Sequence, residues 1–252
     1  ARCPNRNHCW SRGTATFLVM GEKCTRSCPF CSVAGGVPGA LDPEEPRKVA
    51  EASKELGLQH VVVTSVNRDD LADQGSHHFV ECIHELREQI PGVKVEVLTP
   101  DFRGDTDAID RIIEARPDVF NHNIETVPSL YRKVRPGARY TRSLELLERV
   151  AAHAEIDGRS KMWPKSGLML GLGESEAEVE SLLEDLHRVG VKIITIGQYL
   201  QPEPGSLPVE EYIHPDRFEE WRIFGESLGF PMVFSGPFVR SSYMADAQVP
   251  LS

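Results

Sequence analysis

The chain has 252 residues, 40% hydrophobic and 26% charged. That is enough to bury a core without disulfide staples, and no apolar run approaches the roughly 18 to 20 residues that a bilayer-crossing helix needs. With 38 acidic against 28 basic residues the formal charge is −10, which disfavours non-specific binding to nucleic acid or anionic membrane.

The first residues, Ala1-Arg2-Cys3-Pro4-Asn5, are polar and lack both Met and an apolar leader, so a trimmed boundary and no signal peptide are expected there. Short β-branched runs then alternate with helical periodicity. Strands are predicted at Phe17 to Gly21, His60 to Ser65, Lys94 to Thr99, Val119 to Glu125, Ser166 to Gly171 and Ile193 to Leu200. Helices are predicted between them at 43–57, 76–90, 105–116, 141–154 and 174–190, with a last one at 215–229. Asp42-Pro43-Glu44-Glu45 reads as a capped helix start, and Gly57 and Gly190 as helix stops. Six strand–helix repeats are too few for a closed eight-fold barrel. The expected fold class is α/β, a partial (β/α)6 TIM-like barrel with short N- and C-terminal extensions. The whole of 1–252 reads as one domain, with 1–16 and 230–252 as its extensions.

Ligands of such sheets sit at the C-terminal ends of the strands. Polar residues crowd there: Thr64 through Asp70, Thr99 through Arg103, His122 through Thr126, Gly171 through Glu174, and Gln198 onward.

Five of the six cysteines, Cys3, Cys9, Cys24, Cys28 and Cys31, lie in the first 31 residues. An odd, crowded set in a chain of this size reads as metal ligation under reducing conditions. Cys82 alternates with apolar residues in a helical pattern and reads as core packing. Cys24, Cys28 and Cys31 form C-x3-C-x2-C directly after the first strand. Three thiols suit a [4Fe-4S] cube with one iron left open, while a zinc site would need a fourth ligand such as His8 or His122.

That motif in a six-fold βα chain resembles the radical S-adenosylmethionine (SAM) superfamily. Thr64-Ser65-Val66-Asn67-Arg68-Asp69-Asp70, Leu98-Thr99-Pro100-Asp101-Phe102-Arg103-Gly104, His122-Asn123-Ile124-Glu125-Thr126, Met169 through Glu174 and Arg240-Ser241-Ser242-Tyr243 resemble, more narrowly, the lipoyl synthases. The resemblance implies a radical SAM sulfurtransferase. A cluster on Cys24, Cys28 and Cys31 would bind SAM and reduce it to methionine and a 5′-deoxyadenosyl radical. The radical would take hydrogens from carbons 6 and 8 of an octanoyl chain on a carrier lysine. It also implies an auxiliary [4Fe-4S] cluster that donates sulfur, held on C-x4-C-x5-C and a serine of Arg-Ser-Ser-Tyr. Here Cys3 and Cys9 supply the C-x5-C part, the preceding Cys would fall ahead of Ala1, and Ser242, with Ser241 beside it, would supply the hydroxyl. Such a weak, hard ligand would suit a cluster that must open.

Candidate SAM contacts are Asn123 and Glu125, which share a strand face, with Thr64, Asn67, Arg135, Met169 and Gln198. Implied partners are an octanoylated lipoyl carrier domain or glycine cleavage H protein, an electron donor such as ferredoxin or flavodoxin, and an iron–sulfur carrier for cluster repair. A monomer is expected, in the bacterial cytoplasm or in a eukaryotic organelle. The competing readings are a biotin synthase-like sulfur-inserting enzyme and a zinc-binding interaction module.

Overall fold

The computed structural model describes residues 3–156 and 160–248. Seven strands form its main sheet: β1 (Thr14–Val19), β2 (His60–Ser65), β3 (Lys94–Leu98), β4 (Val119–Asn121), β5 (Trp163–Leu170), β6 (Ile193–Gln198) and β7 (Met232–Gly236). Their order in the sheet follows their order in the chain, and every neighbouring pair is parallel. Right-handed crossovers in one direction place the connecting helices on one face and curl the sheet. The result is the expected partial barrel. Its helices are α1 (Arg6–Ser11), α2 (Glu45–Glu55), α3 (Ser76–Gln89), α4 (Thr106–Glu114), α5 (Tyr131–Val134), α6 (Tyr140–Ala152), α7 (Glu176–Arg188) and α8 (Pro215–Leu228). No described helix is long and apolar enough to cross a membrane.

Several boundaries differ from the sequence reading for local reasons. β1 begins three residues early and ends at Val19, because Met20 and Gly21 turn the chain with φ of 69° and 97°. β4 stops at Asn121 instead of Glu125. Glu125 has φ 68° and keeps contact with the sheet through a single bridge to Leu168. α2 starts at Glu45, with Asp42 Oδ1 accepting from the Glu44 N–H. β7 was unforeseen: it falls within the stretch read as a C-terminal extension. Gly57 and Gly190 do follow their helices in the left-handed region, and Ser175 and Glu178 form a reciprocal capping box on α7.

Alternation along the strands separates two interiors. Val61, Val63, Val95, Val97, Phe120, Leu168, Ile194 and Ile196 face the helices in the main hydrophobic core, which also takes Cys82, fully buried, as expected. The opposite face of the same strands carries His60, Glu96, Asn121 and Lys165, all buried polar residues. Lys165 Nζ lies 2.7 Å from Glu96 Oε1, with neither side chain exposed, and Asn121 Nδ2 donates to the same oxygen at 3.2 Å. Burial pushes the Glu96 carboxyl up, but the Lys165 charge outweighs it and leaves Glu96 below its ordinary value.

Breaking such a pair strands a buried charge. Lys165→Met is therefore expected to cost about 3 to 5 kcal/mol, and Lys165→Met with Glu96→Leu much less, since removing both charges is often near neutral. Urea unfolding of the two variants checks this. Equal losses in both would show that packing, and not the orphaned carboxylate, sets the cost.

Candidate functional site

The thiol loop leaves β1 through the Met20-Gly21 turn. Lys23 and Cys24 pair in parallel with Ala34 and Gly35, so the loop folds back on itself. Gly35 leaves room for Ser27 at that return: a Cβ there would fall 2.1 Å from Ser27 Oγ and 3.2 Å from Ser27 Cβ. The fold-back leaves Cys24 buried, Cys28 half-buried and Cys31 exposed.

Backbone and amide donors converge on two of the sulfurs. Cys24 Sγ accepts from the Asn67 N–H (3.2 Å), the Arg26 N–H (3.4 Å) and Asn67 Nδ2 (3.6 Å), while Cys31 Sγ accepts from the Val33 N–H at 3.4 Å. Such donors favour thiolates. Burial nevertheless pushes Cys28 up to about 11; Arg135 opposes the rise, while Cys31, Cys24 and Glu125 add to it. Loss of hydration raises Cys31 as well. Cys28 and Cys31 are thus disfavoured as thiolates until a cation offsets them, and a cluster's irons would do so.

An arginine within the loop fixes its position. Arg26 Nε and Nη2 reach Asp69 at 2.8 Å each, and Nη2 also lies 2.7 Å from Asp101. Asp101, fully buried, is held further by Arg142 (3.1 Å) and by the Arg103 N–H (3.1 Å). Burial would raise the Asp101 carboxyl, but Arg26 drives it far below the usual carboxylate range. The polar ends of β2 and β3 thus serve first to clamp the loop between Cys24 and Cys28. Arg26, Asp69 and Asp101 were not among the candidate residues. The repeated Asp after two strands was the visible signal, but its partner lies 43 and 75 positions earlier in the chain.

The remaining candidates take distinct places. Asn67 turns its amide N–H onto Cys24 and leaves Oδ1 buried without a partner. Asn123 Oδ1 is likewise buried and unpartnered, whereas its side chain also hydrogen-bonds Glu125. Glu125 is raised above its ordinary value by burial, against the pull of Arg135. Its odd backbone is pinned by Glu125 N–H to Gly167 O and Met169 N–H to Glu125 O, both 2.9 Å. Gly167 forms the floor beside this group: a Cβ there would sit 2.3 Å from Thr195 Oγ1 and 3.0 Å from Asn123 Oδ1.

Arg135 spends Nη1 on the carbonyls of Asn123 (2.8 Å) and Ile124 (3.4 Å) and on Tyr131 Oη (3.2 Å), so it braces the strand end from behind. Thr64 Oγ1 donates to Leu98 O. Gln198 differs from expectation. Nε2 donates to the carbonyls of Leu170, Tyr199 and Glu211, and Oε1 accepts from the Ile213 N–H, so its amide staples the wall of the site and has no polar atom to spare.

A cavity of about 670 Å³ opens at this end of the barrel. Phe30 and Ser32 of the thiol loop line one part and Met169 its base, while Cys3, Cys9 and Ser242 line another. The N- and C-terminal segments fold together to form that second part. Asn5 Nδ2 donates to Phe238 O (2.6 Å), Arg12 pairs with Asp246 (2.5 Å), the His8 and Tyr243 rings are 5.7 Å apart, and the Met244 N–H donates to Cys9 Sγ. Burial raises Cys9, and Cys3 adds to the rise. Arg240, also on the cavity wall, is lowered by burial and pulled back up by Cys3. Ser242 lines the cavity; Ser241 does not.

The donor set suits iron–sulfur ligation at both thiol groups: soft sulfurs, polar hydrogens aimed at them, and a nearby cation. The unpartnered Asn123 oxygen beside the Glu125 carboxyl, and the unpartnered Asn67 oxygen next to Cys24, suit a ligand carrying an ammonium and hydroxyls. Among the described residues no three His, Cys, Asp or Glu side chains converge on a position for a single metal ion. His122 is committed elsewhere, through Nδ1 to Thr99 O and Nε2 to Ser143 Oγ at 2.9 Å each, and burial holds it down to about 4.

Comparisons with known proteins agree with this geometry. A profile described as the Radical SAM superfamily matches residues 18–186. The chain is 53% identical over 252 residues to a lipoyl synthase of Caldanaerobacter subterraneus, covering 100% of this chain and 87% of that protein. It is 51% identical over 249 residues to a lipoyl synthase of Leptospira interrogans, covering 99% and 80%. Among solved structures, Streptococcus suis SuiB bound to precursor peptide SuiA superposes with a TM-score of 0.68 at 12% identity, over 89% of this chain and 49% of that one; that likeness speaks to the fold alone.

Proposed function

The chain belongs to the lipoyl synthase family of the radical SAM superfamily, and on that premise we propose how its residues divide the work. It is a radical SAM sulfurtransferase that inserts two sulfur atoms at carbons 6 and 8 of a protein-bound octanoyl-lysine. Its cofactors include SAM and a [4Fe-4S] cluster, which together supply the hydrogen-abstracting radical when bound.

Cys24, Cys28 and Cys31 hold that cluster. The Asn67 and Arg26 N–H groups stabilise the Cys24 thiolate, and the Arg26–Asp69–Asp101 clamp keeps the loop in place. Glu125 and Asn123 take the methionine ammonium and ribose hydroxyls of SAM, since the two side chains hydrogen-bond each other and Asn123 Oδ1 is left unpartnered. Arg135 braces the strand end and opposes the rise that burial gives Glu125, and Met169 packs against the adenosyl group. Thr64 and Gln198 shape the wall without binding. Keeping bulk water from the radical would be the protein's main task in such chemistry.

Cys3 and Cys9 hold a second [4Fe-4S] cluster, the sulfur donor, with Ser242 as oxygen ligand. The described parts of the two extensions, 3–16 and 230–248, thus act together as the auxiliary-cluster part of the domain. The observation that carries this reading is a cavity that Phe30 and Ser32 of the Cys24–Cys31 loop line on one part, and Cys3, Cys9, Ser242 and Arg240 on another. The octanoyl chain of a carrier domain or H protein would enter between them. All six cysteines are free, which supports a reducing compartment such as the bacterial cytoplasm.

The test is anaerobic turnover of an octanoyl-lysine peptide with SAM and dithionite by the reconstituted full-length protein. Lipoyl-lysine should form, with one 5′-deoxyadenosine for each hydrogen removed. 5′-Deoxyadenosine with no sulfur in the peptide would leave a radical SAM enzyme of another activity.

A further inference from the structure

A second concave surface lies beside the thiol loop. It is a groove of about 340 Å³ lined by four arginines, Arg26, Arg103, Arg139 and Arg142, and one acid, Asp69, and it shares no lining residue with the substrate cavity. Resting on the radical SAM reading above, we propose that this groove docks an acidic one-electron carrier protein, which delivers the electron for SAM cleavage from the side of the loop away from the acyl substrate.

Charge carries the first part of the argument. The chain has ten more acids than bases, and its exposed cations are commonly matched, as Arg47 is to Glu44 and Glu51 and Arg222 to Glu219 and Glu226. Arg26 and Arg142 are spent on Asp69 and Asp101. Arg103 and Arg139 are exposed, and among the described residues their side chains make no ion pair or hydrogen bond. Two unneutralised cations in a concave rim, on a chain otherwise acidic, attract an acidic partner and steer it.

Position carries the second part. The Pro136–Ala138 floor of the groove rests on Arg26: a Cβ on Gly137 would lie 3.0 Å from Arg26 Cδ. The Arg26 backbone N–H in turn donates to Cys24 Sγ. A protein seated there stands one residue away from a cluster ligand. The substrate carrier has a different requirement, because its acyl chain must enter the cavity that Phe30, Cys3, Cys9 and Ser242 line. Each docked carrier gives up one electron and leaves oxidised by one. That electron opens one C5′–S bond of SAM, giving methionine and the adenosyl radical, with no proton transferred.

The test pairs Arg103→Glu/Arg139→Glu with the wild-type holoenzyme, using an acidic flavodoxin in its hydroquinone state as probe. Binding is measured directly, and 5′-deoxyadenosine formation is driven either by the flavodoxin or by dithionite. The wild type should bind flavodoxin more weakly as salt rises, because exposed charges are screened. In the variant, flavodoxin affinity and flavodoxin-driven cleavage should fall tenfold or more, while dithionite-driven cleavage and the KM for the octanoyl carrier stay unchanged. Wild-type affinity indifferent to salt would overturn the proposal whether or not the variant folds. So would unchanged flavodoxin binding in the variant, or a raised KM for the octanoyl carrier, which would make the groove a substrate-carrier site. Failure of wild-type cleavage with dithionite would instead count against the radical SAM reading.

Discussion

Cys28→Ala should lose 5′-deoxyadenosine formation down to the background of unreconstituted protein. Burial lifts Cys28 to about 11, and it interacts electrostatically with Cys24, Cys31, Arg135 and Glu125 at once. Its removal leaves two sulfurs facing a site built for three, and the Asn67 and Val33 donors cannot supply the missing ligand because they act on Cys24 and Cys31. The fold should survive, since the half-buried Cys28 stands outside the apolar core that holds the sheet to its helices. The measurement is 5′-deoxyadenosine after anaerobic reconstitution, with circular dichroism and a thermal melt as folding checks. Cleavage persisting at the wild-type rate would remove Cys28 from the radical site.

Cys9→Ala should do the opposite: SAM cleavage continues and lipoyl product disappears. Cys9 is buried near Cys3 and the 244 backbone, and no interaction links it to Cys24, Cys28 or Cys31. On the proposed assignment its loss leaves the radical step intact while removing a ligand of the sulfur donor. Cys9 also helps to dock the C-terminal segment through Met244, so a packing role must be told apart from ligation. Cys9→Ser does this. A hydroxyl still accepts from the Met244 N–H, but it is a hard donor and a poor match for iron in a sulfide cluster. Both variants should fail in sulfur transfer. Recovery with Ser but not Ala would assign Cys9 to packing.

The sequence made some of this plain and hid the rest for identifiable reasons. C-x3-C-x2-C and C-x5-C are local patterns, and thiol chemistry restricts what they can hold, so both thiol groups were readable. Strand periodicity likewise gave six of the seven strands. β7 escaped because Pro231-Met232-Val233-Phe234-Ser235-Gly236 is short and half-exposed; only the parallel pairing with β6 makes it a strand.

The Arg26 clamp escaped because its partners are separated by 43 and 75 positions and meet only when β2 and β3 line up beside the loop. Gln198 looked like a ligand because it ends a strand at the mouth of the site, but tertiary structure supplied four backbone groups that consume its amide. Glu125 and Asn123 were picked as strand neighbours sharing a face. They do meet, through an irregular turn with φ 68° at Glu125 that no periodicity encodes. Ser242 and Ser241 were not separable by motif alone, whereas only Ser242 reaches the cavity wall.

Everything above depends on two clusters held by two separate thiol groups. Iron and acid-labile sulfide per chain, counted in anaerobically reconstituted wild type, Cys28→Ala and Cys9→Ala, test this most directly. About eight irons are expected in the wild type and about four in each variant, because each substitution empties one cube and leaves the other. About four irons in the wild type, or an unchanged count in Cys9→Ala, would contradict a second cluster at Cys3 and Cys9.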